Sequence, residues 1–246
     1  MEHISYSQIR KLMTCPKAWE LDKVVGVKIP TAAPLFLGST IHLTYSTFQS
    51  LRIDGSTMTL EDTKELFETL FAGRVADDEV YWKNTTPEDQ FELGLDMVRA
   101  YYPNALKITP TDTEVTFSTR LIVDGEEIEL TGKIDLIDYE GVSYDIKTAR
   151  YVPTEMKAID LLQPAIYTMC MGAESLDKFI YHYILKTKIA SFRNKSIEIE
   201  KKTVTWLKEV CLPLCVRQIR SGIFPPNVSG CHLCDYRLFG SCQGFP

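Results

Sequence analysis

The chain has 246 residues, a formal net charge of −6, and a composition of 45% hydrophobic and 24% charged residues. This balance is typical of a folded globular protein and excludes a disordered one, and the negative charge excludes a uniformly basic nucleic-acid-binding surface. No apolar run approaches the ~20 residues of a membrane span, and no basic segment followed by an apolar stretch marks a signal peptide. We therefore expect a cytoplasmic protein with no membrane contact.

Residues 1–110 have mainly helical periodicity. In the first helical stretch, SYSQIRKLMTCPKAWELDKV, Ser5 and Gln8 form a possible capping box, and Pro16 predicts two short helices or a kink just after Cys15. Three further helices are predicted, the last two with acidic first turns. They lie in APLFLGSTIHLTYSTFQSL, TLEDTKELFETLFAGRV and TPEDQFELGLDMVRAYY.

Residues 111–200 change to the alternating pattern of strands. Three strand-like runs, joined by turns at Asp124-Gly125 and at Glu140-Gly141, predict a β-meander. A helix from near Thr154 to Gly172 and two more strands, DKFIYHYILKT and SFRNKSIEIEK, follow. The element order predicts an α/β core with helices on the faces of a sheet, within one domain spanning 1–246.

Residues 201–246 are predicted to contain a last helix, roughly Val204 to Ser221, followed by a cysteine-rich loop. Cys231, Cys234 and Cys242 are one ligand short of the four that a structural zinc or an iron–sulfur cluster takes. His232 could complete a zinc site. The other C-terminal-half cysteines have apolar neighbours and are interpreted as core residues, namely Cys170, Cys211 and Cys215.

The meander carries two carboxylates and a lysine. Asp145 and Lys147 are two residues apart on one strand and so share a face, and the hairpin geometry places Asp135 near Ile146 on the neighbouring strand. Converging carboxylates are costly to bury unless they hold a cation, and Mg²⁺ or Mn²⁺ prefers oxygen ligands of this kind. The alternative is a solvated strand pair with a surface salt bridge.

Two other polar features accompany this cluster. Gln163 and Tyr167 are four apart on the helix that follows the meander and could bind a phosphate backbone or stack on a base. By themselves they also fit an amphipathic surface. His42 lies on an otherwise apolar helix, where a lone histidine is commonly a core residue.

Taken in order, four blocks resemble the RecB-like branch of the PD-(D/E)xK nuclease superfamily. They are Gly38-Ser-Thr-Ile-His42, Gly132-Lys-Ile-Asp135, Asp145-Ile-Lys147 and Gln163-Pro-Ala-Ile-Tyr167. Ile134 replaces the proline of the superfamily's name, and Pro164 is unusual within the last block unless the helix begins or kinks there. The resemblance implies a restriction-endonuclease-like central mixed β-sheet flanked by helices.

The resemblance also implies residue roles. His42, Asp135, Asp145 and the backbone carbonyl of Ile146 would bind Mn²⁺ or Mg²⁺, and Lys147 would position the attacking water. Gln163 and Tyr167 would hold the DNA strand near the cut. Further backbone contacts are expected from four basic residues whose charge could equally mark a solvated face, namely Arg10, Lys11, Arg193 and Lys195.

One group within this branch, which includes the CRISPR-associated RecB-like exonucleases and the AddB nuclease domain, joins its ends through an iron–sulfur cluster. It uses one N-terminal and three C-terminal cysteines. The resemblance therefore makes Cys15 the fourth ligand of a [4Fe–4S] cluster with Cys231, Cys234 and Cys242, and favours this cluster over zinc.

The activity expected from the resemblance is hydrolysis of DNA, with single-stranded DNA cut from an end and 5′→3′ polarity favoured. No G-x-x-x-x-G-K-[ST] segment is present, so any helicase would be a separate chain. Three alternatives remain open. They are an accessory that trims ends for an integrase or helicase partner in recombination or CRISPR adaptation, a catalytically silent DNA-binding module, and a zinc-bound interaction element.

Overall fold

The computed structural model describes residues 3–123, 125–173 and 176–243, with the side chains of Glu126, Asp177 and Leu233 excepted. Asp124, one half of the predicted Asp124-Gly125 turn, lies outside the described residues. Across these ranges, no helix is both long enough and apolar enough to cross a membrane.

The N-terminal part is mainly helical, as predicted. Its elements are β1 (His3–Ser5), α1 (Tyr6–Thr14), α2 (Pro16–Lys23), β2 (Thr31–Ala32), α3 (Ala33–Ile53), α4 (Leu60–Asp77), β3 (Val80–Tyr81) and α5 (Pro87–Ala105). The break predicted after Cys15 is confirmed, since Cys15 is extended and Pro16 begins a new helix. The capping box predicted at Ser5 is wrong, because the Ser5 side chain makes no cap and its hydroxyl lies 3.0 Å from that of Ser7.

The predicted β-meander and central mixed sheet are confirmed. The strands are β4 (Pro110–Val123), β5 (Glu126–Asp138), β6 (Ser143–Ala149), β7 (Leu176–Leu185) and β8 (Ser191–Ile199). The sheet runs β1-β5-β6-β7-β8, with β4 also pairing with β5. β1 is parallel to β5 and β6 is parallel to β7, whereas the other pairs are antiparallel. Helices cover both faces, with α3 and α5 on one and α1 and α6 on the other.

Helix α6 (Ala158–Cys170) connects β6 to β7 and begins four residues later than predicted. The preceding segment is held outside the helix, because the Lys195 ammonium donates to the carbonyl oxygens of Pro153 and Thr154 at 2.7 and 2.8 Å. Pro164 lies inside α6 and cannot donate to the carbonyl of Asp160. The Tyr181 hydroxyl donates to that carbonyl at 2.8 Å, so the proline is accommodated without an unpaired buried oxygen.

The single helix predicted for residues 204–221 is in fact interrupted. It consists of α7 (Lys201–Trp206), a wide π-helical turn (Leu207–Cys211) and α8 (Leu212–Ser221). The wide turn precedes Pro213, which has no N–H to offer to the carbonyl four residues back. A 3₁₀ turn (Cys231–Leu233) and the short helix α9 (Asp235–Leu238) follow. Trp19 stacks on Phe224 with ring centroids 5.4 Å apart, and this contact joins the tail to the N-terminal helices.

Candidate active site

Strands β5 and β6 separate soon after their turn, and the predicted catalytic residues lie where they part. Leu136 pairs with Tyr144, whereas residues 129–131 of β5 pair with β1. The register differs by one residue from that predicted, but Asp135 still contacts Ile146. The Ile146 N–H donates to the Asp135 carboxylate at 2.9 Å, in place of a carbonyl from a neighbouring strand. We call this opening the fork.

Asp145 is buried on β6 with its two oxygens in different surroundings. Oδ1 accepts a hydrogen bond from Gln163 Nε2 at 2.6 Å. Oδ2 forms an ion pair with the Lys147 ammonium at 2.8 Å, and it accepts no further hydrogen bond from the described residues. Burial raises the pKa of Asp145, and the opposing effect of the Lys147 charge does not cancel the rise. An electron-rich buried oxygen is thus left facing one cation.

Lys147 is held from two sides. Its ammonium donates to Gln163 Oε1 at 2.9 Å and lies 5.5 Å from the centroid of the Tyr181 ring. Burial by itself lowers the pKa of Lys147, but the Asp145 carboxylate outweighs it, so the pKa is raised. The lysine is therefore charged at neutral pH and acts as a hydrogen-bond donor.

Gln163 and Tyr167 lie on the same face of α6, as their spacing predicts, and both are buried. Gln163 Nε2 donates to the Tyr167 hydroxyl at 2.8 Å, and that hydroxyl donates to the carbonyl of Lys133 at 2.5 Å. The Gln163 amide thus joins the carboxylate and the ammonium of β6 to the backbone of β5. Burial raises the pKa of Tyr167, so its hydroxyl stays protonated.

His42 reaches the fork from the opposite face of the sheet. Its Nδ1 lies 3.3 Å from Asp135 Oδ2. Burial by itself lowers the pKa of His42. The hydrogen bond to Asp135 and the negative charge of that carboxylate raise it by more, so the pKa of His42 is raised overall. For Asp135, burial raises the pKa, and the contacts with His42 and the Ile146 N–H outweigh this, so the pKa is lowered. The pair therefore favours the charged forms of both groups.

Gly38 allows α3 to lie this close to the sheet. It is one helical turn before His42, and a Cβ on Gly38 would lie 2.7 Å from the Thr148 hydroxyl oxygen. Such a contact is shorter than van der Waals packing permits. The glycine of the G-x-x-x-H block therefore has a steric reason.

The donor set suits a hard divalent cation. It combines two carboxylates, an imidazole and a backbone carbonyl, and Asp145 Oδ2 is a buried oxygen that accepts no hydrogen bond from the described residues. Within residues 3–123, 125–173 and 176–243, however, no three His, Cys, Asp or Glu side chains are already arranged to hold a metal ion. Lys147 and His42 are the positive partners of the two carboxylates in this arrangement.

The cysteines of the predicted cluster site are brought together from both ends of the chain. A cavity of about 330 Å³ is lined by Cys15, Cys231, Cys234 and Cys242. The backbone of Asn227 joins two of them, because its N–H donates to Cys15 Sγ at 3.3 Å and its carbonyl accepts from Cys231 Sγ at 3.4 Å. His232, the candidate zinc ligand, is exposed and lines a second cavity together with Cys231 and Cys234. Cys211 and Cys215 are buried in the core as expected, and Cys170 is partly buried against it.

The four basic residues expected to contact DNA have partners within the protein. Arg10 lies 3.6 Å from Asp160, and Lys11 lies 2.6 Å from Asp22. The other two donate to backbone carbonyls. Lys195 donates to the carbonyls of the segment before α6, and Arg193 donates to the carbonyl of Phe192.

Sequence reasoning missed Tyr6, which lies at the fork. Tyr6 follows β1 directly, and β1 pairs with the part of β5 that β6 leaves free. Burial raises the pKa of Tyr6, and the charges of Arg10, Lys147 and others modify it. Strand β1 has only three residues, which is too short to show an alternating pattern, so neither β1 nor the position of Tyr6 beside it could be predicted from the sequence.

Comparisons with known proteins bear on the fold and on the family. A protein from Eubacterium rectale described as a "putative exonuclease" has a similar structure, with a TM-score of 0.62 and 14% identity over 100% of this chain and 90% of that one. At this identity the likeness supports the fold alone. The structure of SSO0001 gives a TM-score of 0.33 and 19% identity over 79% of this chain and 82% of the other, and nothing is inferred from it.

No curated protein sequence matches the chain. A family model does match, over residues 3–241, and it is that of the PD-(D/E)XK nuclease superfamily. The match spans all four blocks, the fork at which they meet and the cysteine tail almost to its end. The chain therefore belongs to the PD-(D/E)XK nuclease superfamily.

Proposed function

We propose that this nuclease is a metal-dependent deoxyribonuclease whose active site is the fork, within one domain spanning residues 1–246. The observation that carries the proposal is the ion pair between the buried Asp145 Oδ2 and Lys147, opposite the His42–Asp135 pair. Nucleases of this superfamily typically use Mg²⁺ or Mn²⁺.

In the proposed site, His42, Asp135, Asp145 and the carbonyl of Ile146 hold the metal. A bound Mg²⁺ or Mn²⁺ would act as a Lewis acid that neutralises charge developing on the phosphate. Lys147 is charged, so it orients the attacking water or a phosphate oxygen by donating hydrogen bonds. Gln163 fixes the direction of that ammonium through Oε1, and it meets the DNA strand together with Tyr167.

We further propose that the protein belongs to the RecB-like branch, close to the CRISPR-associated exonucleases and the AddB nuclease domain. Its four blocks and their order support this assignment. The proposed substrate is single-stranded DNA cut from an end, with 5′→3′ polarity. A helicase or integrase partner would be a separate chain.

The cysteine cavity is proposed to hold a structural [4Fe–4S] cluster. Four thiols from both ends of the chain line one cavity of about 330 Å³, and the Asn227 N–H donates to a sulfur there. Hydrogen bonds to ligand sulfurs are typical of iron–sulfur sites. Zinc in the same place, with or without His232, is the alternative. In either case the group would tie α1 and α2 to the tail.

The test is digestion of 5′- and 3′-labelled single strands with Mn²⁺ by anaerobically purified protein. Wild type is compared with Lys147→Ala and with Lys107→Ala, a matched control whose exposed lysine contacts only Asn104 among the described residues. We expect laddering from one end by wild type and by the control, and none by Lys147→Ala. Cutting by Lys147→Ala would refute the assigned site. Tight binding without cutting by folded wild type would favour the silent DNA-binding module.

A further inference from the structure

We infer that Lys186 and Arg150 form a phosphate-binding pair that holds the DNA strand beside the catalytic residues. This inference rests on the proposed nuclease function and adds two substrate contacts to it. Strands β6 and β7 are adjacent and parallel, so the residues that follow them meet at one edge of the sheet. Leu185 pairs with Ala149, and the Lys186 N–H donates to the Ala149 carbonyl at 2.7 Å.

This edge is close to the fork. Thr148, whose hydroxyl faces Gly38 of α3, is two residues before Arg150, so strand alternation places Arg150 on the α3 face of the sheet, opposite to Lys147. Helix α3 connects this edge to the fork, since Pro34 in its first turn contacts Lys186 and His42 reaches Asp135. These two helix residues are eight apart in sequence, which corresponds to about 12 Å along the helix axis. A DNA strand with a phosphate at the His42–Asp135 pair therefore passes within reach of Lys186 and Arg150.

The charges at this edge lack a protein counter-ion. The Lys186 ammonium has one acceptor among the described residues, the Pro34 carbonyl at 2.7 Å. Burial, with a contribution from the Arg150 charge, lowers the pKa of Lys186 to about 8. In the described part of the chain, neither cation forms an ion pair with Asp or Glu. Other basic residues do form ion pairs with aspartate, as in Lys11–Asp22 and Arg74–Asp78.

Two neighbouring cations without a carboxylate repel each other, and Lys186 is only partly exposed, whereas Arg150 is exposed. An anion placed between them would remove this cost. An ammonium with free N–H donors next to a guanidinium is a donor set that suits a phosphate oxygen. Contacts of this kind fix the position of the nucleic acid without reading its sequence. The predicted contact Lys195 differs, because its ammonium is engaged by two carbonyls.

The test measures the affinity of fluorescein-labelled oligothymidine in EDTA, over a range of salt concentrations. Lys186→Met, Arg150→Met and the double variant are compared with wild type and with Lys107→Met. Lys107 is exposed near the opposite end of β6, since the adjacent Ile108 packs with Val142 and Tyr144. We expect a three- to tenfold loss of affinity for each single variant. The slope of log K against log salt should fall by about one for each lost phosphate contact.

One further variant and a melting measurement separate binding from folding. Lys186→Met also removes the bond to Pro34, so its melting temperature is measured alongside. Arg150→Met leaves that bond in place, and Lys186→Arg retains both a charge and a donor and should bind like wild type. The inference is overturned if wild type binds and cuts DNA while Arg150→Met and folded Lys186→Met match Lys107→Met in affinity and salt slope. A folded wild type that neither binds nor cuts overturns the proposed function together with it.

Discussion

The side-chain oxygen of Gln163 accepts a hydrogen bond from the Lys147 ammonium at 2.9 Å, so a residue of α6 sets the direction of the charged group on β6. The same amide donates to Asp145 and to Tyr167. The glutamine of the Q-x-x-x-Y block thus orients both the lysine and the acid of the D-x-K block. Contacts of this kind around a metal site orient the groups that act on the substrate.

Replacing Gln163 by leucine should lower the cleavage rate more than it lowers DNA affinity. The change leaves Asp145 Oδ1 without its donor and Lys147 without its acceptor, so both groups lose their fixed orientation. We expect about a 10–100-fold loss in the single-turnover rate. Gln90→Leu is the control, because Gln90 is near the N-terminus of α5 and bonds Thr85. An unchanged rate at saturating DNA would refute the positioning role.

Introducing a Cβ at Gly38 should disturb the approach of His42 to the fork. Gly38→Ala places a carbon 2.7 Å from the Thr148 hydroxyl oxygen, and we expect a loss of about 1–3 kcal/mol in the free energy of unfolding, with reduced activity. Gly73→Ala is the matched control on α4, where an added Cβ meets no atom within 4 Å. That change should stabilise by roughly 0.5–1 kcal/mol, since alanine is the better helix former.

The steric explanation has its own check. Adding Thr148→Ala to Gly38→Ala removes the clashing hydroxyl and should restore most of the lost stability and activity. If the double variant is as unstable as the sum of the two single changes, close packing of α3 on β6 is not the reason for the glycine.

The His42–Asp135 pair should make the stability of the metal-free protein depend on pH. The pKa of His42 is raised in the folded protein, so its contribution is complete below the ordinary value of 6.5 and is lost as pH rises through the raised value. The pKa of Asp135 is lowered, so its contribution is present above 3.8 and is lost as pH falls through the lowered value. The pair stabilises most between these limits.

Urea unfolding in EDTA measures this effect. The difference between wild type and His42→Gln should be greatest near pH 5–6 and should shrink above the raised His42 pKa. We expect about 1 kcal/mol at most, because the His42 side chain is 31% exposed and solvent weakens the pair. A difference that is constant across the whole pH range would show that the histidine contributes packing and not charge.

Loss of Cys15 should release the group held by the cysteine cavity. Cys15→Ser in anaerobically purified protein is expected to lose iron and labile sulfide and to melt at a lower temperature, because the cavity joins both ends of the chain. Cys170→Ser is the control, since Cys170 is partly buried and lies on α6. Zinc in place of iron would contradict the proposed cluster, and the absence of both metals would leave the cavity without a metal role.

Much of this protein is determined by local sequence. Helical periodicity, Pro16 and the acidic first turns located the N-terminal helices, since these signals act within a few residues. The alternating runs located the meander, and the period of two placed Asp145 and Lys147 on one face. The four blocks also identified the residues that lie at the fork, because the spacing of residues within each block can be read from the sequence without the structure.

Tertiary structure decided how these residues meet. β5 leaves β6 and pairs with β1, a three-residue strand too short to show a pattern. Where the two strands part, His42 enters from one face and Gln163 from the other. The late start of α6 depends on Lys195, which is about forty residues away from the carbonyls it binds. Lys186 and Arg150 are neighbours because each follows one member of the Ala149–Leu185 pair in two parallel strands joined by a helix. Such contacts depend on backbone groups left free at distant points in the chain, and no local pattern of residues records them.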